Sequence, residues 1–294
     1  MKLGIVTPVL TLLPRAHATW EDTGTFADIA GIVQTADRLG YHHCTCSEHV
    51  AIPVAVAETR GSRYWDPLAT FGALSTTTSR IRFATHVLVL GYHHPLAIAK
   101  RYGTLDDITG GRVILGLGVG SLREEFDLLG AAFDDRGERA DDSMRALRAA
   151  LSQRVPEYHG PHFDFDGLVV DPHARQARVP LWVGGRTARS LRRAVELGDG
   201  WAPFGLRTDE LADMLSRARD SEAWSERAEP IEVFLQNEHP LDPIAERERV
   251  AEQLSKFGAI GATGVNVRFV HHSPEHYCEQ LAALAEITGA GPAN

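Results

Sequence analysis

At 294 residues the chain is long enough to bury one large core. A composition of 44% hydrophobic and 23% charged residues, without a long block of like charge, excludes a disordered chain, and no apolar stretch reaches the ~18 residues a membrane span needs. The formal net charge of -9, with the 30 Lys and Arg scattered along the chain, argues against nucleic acid as a partner; a small-molecule substrate and no membrane partner are expected.

The first apolar run, residues 3–13 after Lys2 and before Ala16-His17-Ala18, superficially mimics a secretory leader. Pro8 interrupts it, and cleavage there would delete what reads as the first strand. Short Val- and Ile-rich runs then alternate with segments of helical period. Strands are predicted over residues 3–7, 41–47, 81–90, 113–119, 181–184, 200–204, 231–236 and 265–270. Helices are predicted over 26–39, 67–77, 96–108, 138–151, 188–197, 209–221, 243–257 and 274–287. Several helices stop at glycine, as Gly40, Gly110, Gly198 and Gly258 indicate.

Eight strands, each followed by a helix, predict an α/β protein of the (β/α)8 TIM-barrel class, with an open doubly wound sheet as the alternative. The chain exceeds the roughly 250 residues typical of a barrel, so one domain over 1–294 with insertions at about 49–64 and 154–179 is expected. The second insertion, Tyr158-His159-Gly160-Pro161-His162-Phe163-Asp164-Phe165, has a Gly-Pro turn between aromatic runs and reads as a small hairpin lid. Cys44, Cys46 and Cys278 form no even disulfide framework, which suits a reducing cytoplasm.

In a barrel the residues that end the strands face the substrate. The second strand ends in Ser47-Glu48-His49, where a carboxylate beside an imidazole suits acid–base work near neutral pH; a rim histidine bonded to a loop is the plain alternative. The third carries His86, on one face with Ala84 and Leu88, and leads to His93 and His94 at the next helix start. Gly116-Leu117-Gly118-Val119-Gly120-Ser121 ends the fourth strand, and its bare backbone would let a flat ring lie close. Val183-Gly184-Gly185-Arg186-Thr187 ends the fifth and opens a helix, a natural anion pocket. Trp20, Tyr64, Trp65 and His94 are candidate substrate contacts. Fourteen histidines raise a metal site, yet the first strand offers no ligand, so no metal is expected.

Together Ser47-Glu48-His49, Thr85-His86-Val87-Leu88 before His94-Pro95, the Gly110 to Gly120 run, and Leu181-Trp182-Val183-Gly184-Gly185 through Asp199-Gly200-Trp201 make the chain resemble the bacterial luciferase-like monooxygenase superfamily, in its coenzyme F420-dependent branch. The resemblance implies a deazaflavin in the barrel mouth, held by Thr85, His86, Val87, Gly118, Gly120, Ser121, Val183, Gly184, Gly185, Arg186, Thr187 and Trp201, with a cis His86–Val87 peptide backing the ring. It implies hydride transfer at the deazaflavin C5, with His49 and Glu48 handling the accompanying proton, in a homodimer. FMN is the alternative cofactor, serving a monooxygenase; a silent ligand-binding barrel is a second alternative. Arg15, Arg60 and Arg63 are candidates to meet a polyglutamate cofactor tail. Two departures accompany the resemblance: His86 stands where a small residue is usual, and Glu48 where the sugar-phosphate dehydrogenase members carry Asp, so no substrate is carried over.

Overall fold

The structure is a computed structural model that describes residues 1–14 and 16–291. Eight strands, Lys2–Val6, His43–Cys46, Arg82–Thr85, Val113–Gly118, Leu181–Gly184, Gly200–Ala202, Glu232–Gln236 and Gly264–Val267, each run parallel to both neighbours. The pairing of Phe83 with Val113 and of Lys2 with Gly264 leaves no open edge, so the sheet is a closed barrel and not a doubly wound sheet. Around it lie the helices Phe26–Arg38, Pro67–Ser75, Pro95–Thr109, Arg136–Ala150, Ala188–Leu197, Thr208–Arg219, Arg247–Ala259 and Pro274–Thr288.

Two local features differ from expectation, and a third, the hairpin of the second insertion, agrees with it. The long third strand is broken: a cis His86–Val87 peptide separates Arg82–Thr85 from Leu88–Val89, which pairs with the fourth strand. The first insertion contains a helix, Val54–Arg60, and another, Arg123–Leu128, follows the fourth strand. In the second insertion Tyr158–His159 and Asp164–Phe165 pair antiparallel. That hairpin is fastened to the helix Arg136–Ala150 by the Asp142 carboxylate, which accepts from the Tyr158 hydroxyl and from the amides of His162 and Phe163 at 2.9 and 3.1 Å.

Strand alternation decides which side chains enter the barrel. Ala84, Ile114, Trp182, Ala202 and Phe234 form the inner cluster, with the Trp182 and Phe234 rings stacked 4.4 Å apart. His43 joins them, hydrogen-bonded to the Asn266 amide oxygen at 2.7 Å. Burial pushes the His43 pKa well down, so a neutral imidazole plugs the barrel floor. Glycine makes room for it: a Cβ on Gly4 would sit 2.1 Å from the His43 ring. Residues of the opposite parity, such as Ile5, Cys44, Phe83, Leu115, Val183, Trp201 and Val265, pack against the helices. Cys44 is one of these, its thiol pushed up to about 12 chiefly by burial, as befits a small core residue.

The helix ends follow local chemistry. Thr25 and Thr187 cap through capping boxes, Asp66 and Ser273 cap before Pro67 and Pro274, and Gly110 and Gly289 close their helices with φ of 72° and 67°. Asp37 ties the first helix to the third strand, its carboxylate accepting from the amides of Ser79, Arg80 and Ile81. Burial works to raise its pKa, but these donors outweigh burial and hold it below 3.8. The stability it contributes is therefore present above that value and lost as the pH falls through the lower folded pKa. Asp37→Ala leaves three amides without an acceptor and is expected to cost about 2–4 kcal/mol, read by urea denaturation at pH 7. A loss within error would show that solvent satisfies those amides.

Candidate active site

At the mouth, the second and third strands are sewn together around the cis peptide. The Ser47 hydroxyl donates to the His86 carbonyl at 2.9 Å, and the Glu48 amide donates to the Val87 carbonyl at 3.3 Å. The Glu48 carboxylate then accepts from the Val89 amide at 2.7 Å and from His93 Nε2 at 2.6 Å. Glu48 is thus turned toward the third-strand loop, and the structure separates it from His49, with which sequence reasoning had joined it. The reason is alternation: neighbouring residues on an extended segment point to opposite sides.

His49 finds a different carboxylate. Its Nδ1 lies 2.7 Å from Glu125 Oε2, on the short helix Arg123–Leu128. The Glu125 side chain has 0% exposure and that of His49 has 19%. Glu125 also accepts from the Tyr92 hydroxyl at 2.6 Å and the Ala51 amide at 3.2 Å, and from the Val50 amide. Burial works to raise the Glu125 pKa, but the hydrogen bonds from Tyr92, His49, Val50 and Ala51 win and hold it below its ordinary value. An ionised carboxylate only accepts, so the proton on His49 sits at Nδ1 and Nε2 is left for chemistry. Tyr64 packs edge-on against His49, ring centres 4.5 Å apart, and donates its hydroxyl to the Arg60 carbonyl. The same carboxylate that holds His49 keeps Tyr92 a phenol, because burial and then the Glu125 contact raise the Tyr92 pKa. Sequence reasoning missed Glu125; the available signal was its place in the loop after a barrel strand, where polar residues serve the mouth.

The wall beside this pair is made by His86 and Val87, both half-buried, and by exposed Phe204, whose ring lies edge-on to His86 at 6.1 Å. His86 Nε2 is 3.3 Å from the Ala202 carbonyl, and burial lowers its pKa, so its ring is neutral.

Several expected cofactor contacts are redirected by the structure. A Cβ on Gly118 would come 2.5 Å from Val87 Cγ2 and one on Gly184 2.4 Å from Val87 Cγ1. The room at these two glycines is filled by Val87, and that at Gly120 by Phe126, 2.5 Å away. These glycines therefore seat protein side chains first. Thr85 points out of the barrel and spends its hydroxyl on the Gly116 carbonyl at 2.7 Å. Val183 and Trp201 share that outward parity and lie in the core between barrel and helices. Their side chains are buried in that core.

The turn after the fifth strand keeps its anion-binding character. Gly185, at φ 106°, swings the chain into the helix Ala188–Leu197, a conformation in which other residues are strained. Thr187 is the N-cap of that helix, its hydroxyl oxygen accepting from the Ser190 amide at 3.2 Å. Ala188 and Arg189 retain first-turn amides without intrahelical acceptors, beside exposed Arg186.

Of the basic loop residues, Arg15 lies outside the described residues. Arg63 is committed to the carbonyls of Glu21 and Asp22, at 2.8 and 2.7 Å, and Arg60 bridges to the Ser121 hydroxyl at 3.2 Å. Trp20 donates its indole N–H to His271 Nδ1 at 2.9 Å; burial first, then nearby His276 and His272, hold the His271 pKa down at about 4. Trp20 thereby joins the loop after the first strand to the end of the eighth. His94 caps the helix Pro95–Thr109 and packs its ring 5.4 Å from Phe163 of the hairpin insertion. A cavity of 710 Å³ opens beside Tyr64, lined also by Phe26, Trp65 and the helix Pro67–Ser75. It contains none of His49, His86 or Val87, and its Arg63 and Asp66 are already hydrogen-bonded to backbone groups. Among the described residues no three His, Cys, Asp or Glu converge as a metal site, and no helix is long and apolar enough to cross a membrane.

Comparison with known proteins bears on the fold and the family. An uncharacterized Mycobacterium tuberculosis protein is 28% identical over 216 residues, 69% of this chain and 74% of its own. Another from that organism, whose name assigns it provisionally to the coenzyme F420-dependent oxidoreductases, is 31% identical over 163 residues, 51% of this chain and 46% of its own. Among solved structures, the coenzyme F420-dependent tetrahydromethanopterin reductase of Methanopyrus kandleri superposes with a TM-score of 0.73 at 16% identity, covering 98% of this chain and 99% of that one. The oxygenating constituent of 3,6-diketocamphane monooxygenase from Pseudomonas putida, solved with FMN, gives 0.74 at 16% identity, covering 99% and 98%. Such identities establish a shared fold and nothing finer. The model of the luciferase-like monooxygenase family matches residues 7–228, most of the barrel including both strand ends around His49 and Glu125, and the chain belongs to that family.

Proposed function

We propose that this chain is a coenzyme F420-dependent oxidoreductase acting on a small organic substrate, with His49 as the proton carrier. The observation that carries the reading is the His49–Glu125 pair: a histidine with one nitrogen fixed on a buried carboxylate and the other free at the barrel mouth. The residues present fit a phosphorylated flat ring system. The half-buried wall of His86 and Val87 offers an apolar face, and the first-turn amides of Ala188 and Arg189, with Arg186, offer donors to a phosphate. When bound, the deazaflavin supplies a hydride donor or acceptor at its C5. The chain's own part is positional and acid–base. Glu125 sets the His49 tautomer, Tyr64 limits the swing of the ring, and His49 Nε2 takes or delivers the proton that accompanies the hydride.

The F420 reading is supported by the name of the mycobacterial relative and by the Methanopyrus reductase; an FMN-dependent monooxygenase is the second reading, favoured by the family's name and the Pseudomonas structure with FMN. The deciding experiment titrates purified protein with oxidised F420 and with FMN, separately, following fluorescence. Tighter binding of F420 is expected. Preference for FMN would establish the second reading, and binding of neither would leave a silent barrel. Arg186→Gln is expected to weaken binding of the preferred cofactor about five- to tenfold, through loss of a charge-assisted contact to phosphate; an unchanged Kd would move the phosphate away from this turn.

A further inference from the structure

Arg268 follows the eighth strand, Gly264–Val267, and belongs to the inward parity of that strand. Gly264 abuts the inner Phe234 ring and Asn266 holds His43 inside the barrel, whereas Val265, Val267 and Phe269 pack outward. The Arg268 side chain is therefore directed over the barrel interior at its mouth end. Its only hydrogen bond among the described residues is a long one from Nη2 to the Glu238 carbonyl at 3.4 Å; Nε is buried and donates to no acceptor. Among the described residues no carboxylate pairs with it, although this protein carries 39 Asp and Glu. Glu238, whose carbonyl takes that long bond, does not pair its carboxylate with Arg268; the carboxylate lies 4.0 Å from His239 Nε2 instead. Half-buried Gln236, inward on the adjacent strand and paired in register with Asn266, adds an amide to the same sector.

Desolvating a guanidinium without a partner is unfavourable, and such an arrangement persists where a ligand completes it. We infer that Arg268, assisted by Gln236, binds an anionic oxygen group, carboxylate or phosphate, on the substrate, which makes the substrate of this barrel an organic anion. The inference rests on the reading of the mouth as a substrate site. It concerns the seventh and eighth strands, apart from the Arg186 turn that would take the cofactor phosphate.

The test uses the full chain with two probes, inorganic phosphate and acetate, each against sodium chloride at equal ionic strength. Wild type, Arg268→Gln and Arg268→Lys are compared without cofactor and when saturated with whichever of F420 and FMN binds, reading titration heats and thermal midpoint. At least one probe is expected to bind wild type in both states, about tenfold or more weaker in Arg268→Gln and partly restored in Arg268→Lys. Phosphate alone would point to a phosphate ester, acetate to a carboxylate, and either supports the site. Absence of binding by both probes overturns it. So does an anion effect that survives Arg268→Gln and vanishes on cofactor saturation, which would belong to the Arg186 turn. Equal weakening of cofactor and probe by Arg268→Gln also overturns it, by making Arg268 a cofactor contact. Failure of both cofactors to bind sinks the proposed function alone, because the cofactor-free arm still reads the anion.

Discussion

His49→Gln is expected to lower kcat/KM by about 10² to 10⁴ with any substrate the wild type turns over, while cofactor affinity stays within twofold. The separation of the two effects follows from geometry. His49 is fixed through Nδ1 on a buried carboxylate and through its ring on Tyr64, leaving Nε2 for proton transfer. Glutamine preserves a donor toward Glu125 but has no group that takes up a proton near neutral pH. Steady-state rates across pH 5–9, with cofactor titrations alongside, check it. Retention of full activity would remove His49 from the chemistry, and loss of cofactor binding would make it a binding residue instead.

Glu125 is expected to give the second large effect, in two forms that separate its roles. Glu125→Gln keeps the shape but replaces an acceptor-only group with one that donates from one side. The His49 tautomer preference then inverts, and the activity loss is expected to approach that of His49→Gln, with a changed pH profile and little change in fold. Glu125→Ala removes the acceptor for the Val50 and Ala51 amides and for Tyr92, and is expected to cost about 3 kcal/mol, or roughly 5–9 °C in Tm. Because the Glu125 pKa is held below 4.5, its stabilisation is present above that value and lost as the pH falls through the lower folded pKa. The thermal difference between wild type and Glu125→Ala should therefore narrow in strong acid. An undiminished rate in Glu125→Gln would reduce Glu125 to a loop anchor.

Much of the architecture was legible in the sequence because the signals involved are local. Strand and helix periods, glycine stops and caps such as Asp66-Pro67 and Ser273-Pro274 act within a few residues, so the eight units could be counted and their order read. The mouth was legible too, since a parallel barrel presents its strand ends there, which singled out His49, His86 and the Gly185-Arg186 turn.

What the tertiary structure decided were matters of partner and parity. His49 and Glu125 are 76 residues apart, brought together by a short helix that no periodic signal announced, and Glu48 beside His49 turned out to serve His93. Thr85, Val183 and Trp201 are cofactor contacts only by the family resemblance; a side-chain period of two sends alternate residues to opposite faces, and barrel closure puts their side chains on the helix side. Gly118 reads as space for a flat ring and Gly184 as part of an anion-binding turn, and the third strand places Val87 against both. A chain's local preferences thus determined where its elements lie and which end is the mouth. Only closure of the ring, which juxtaposes strands distant in sequence, settled which side chains meet there.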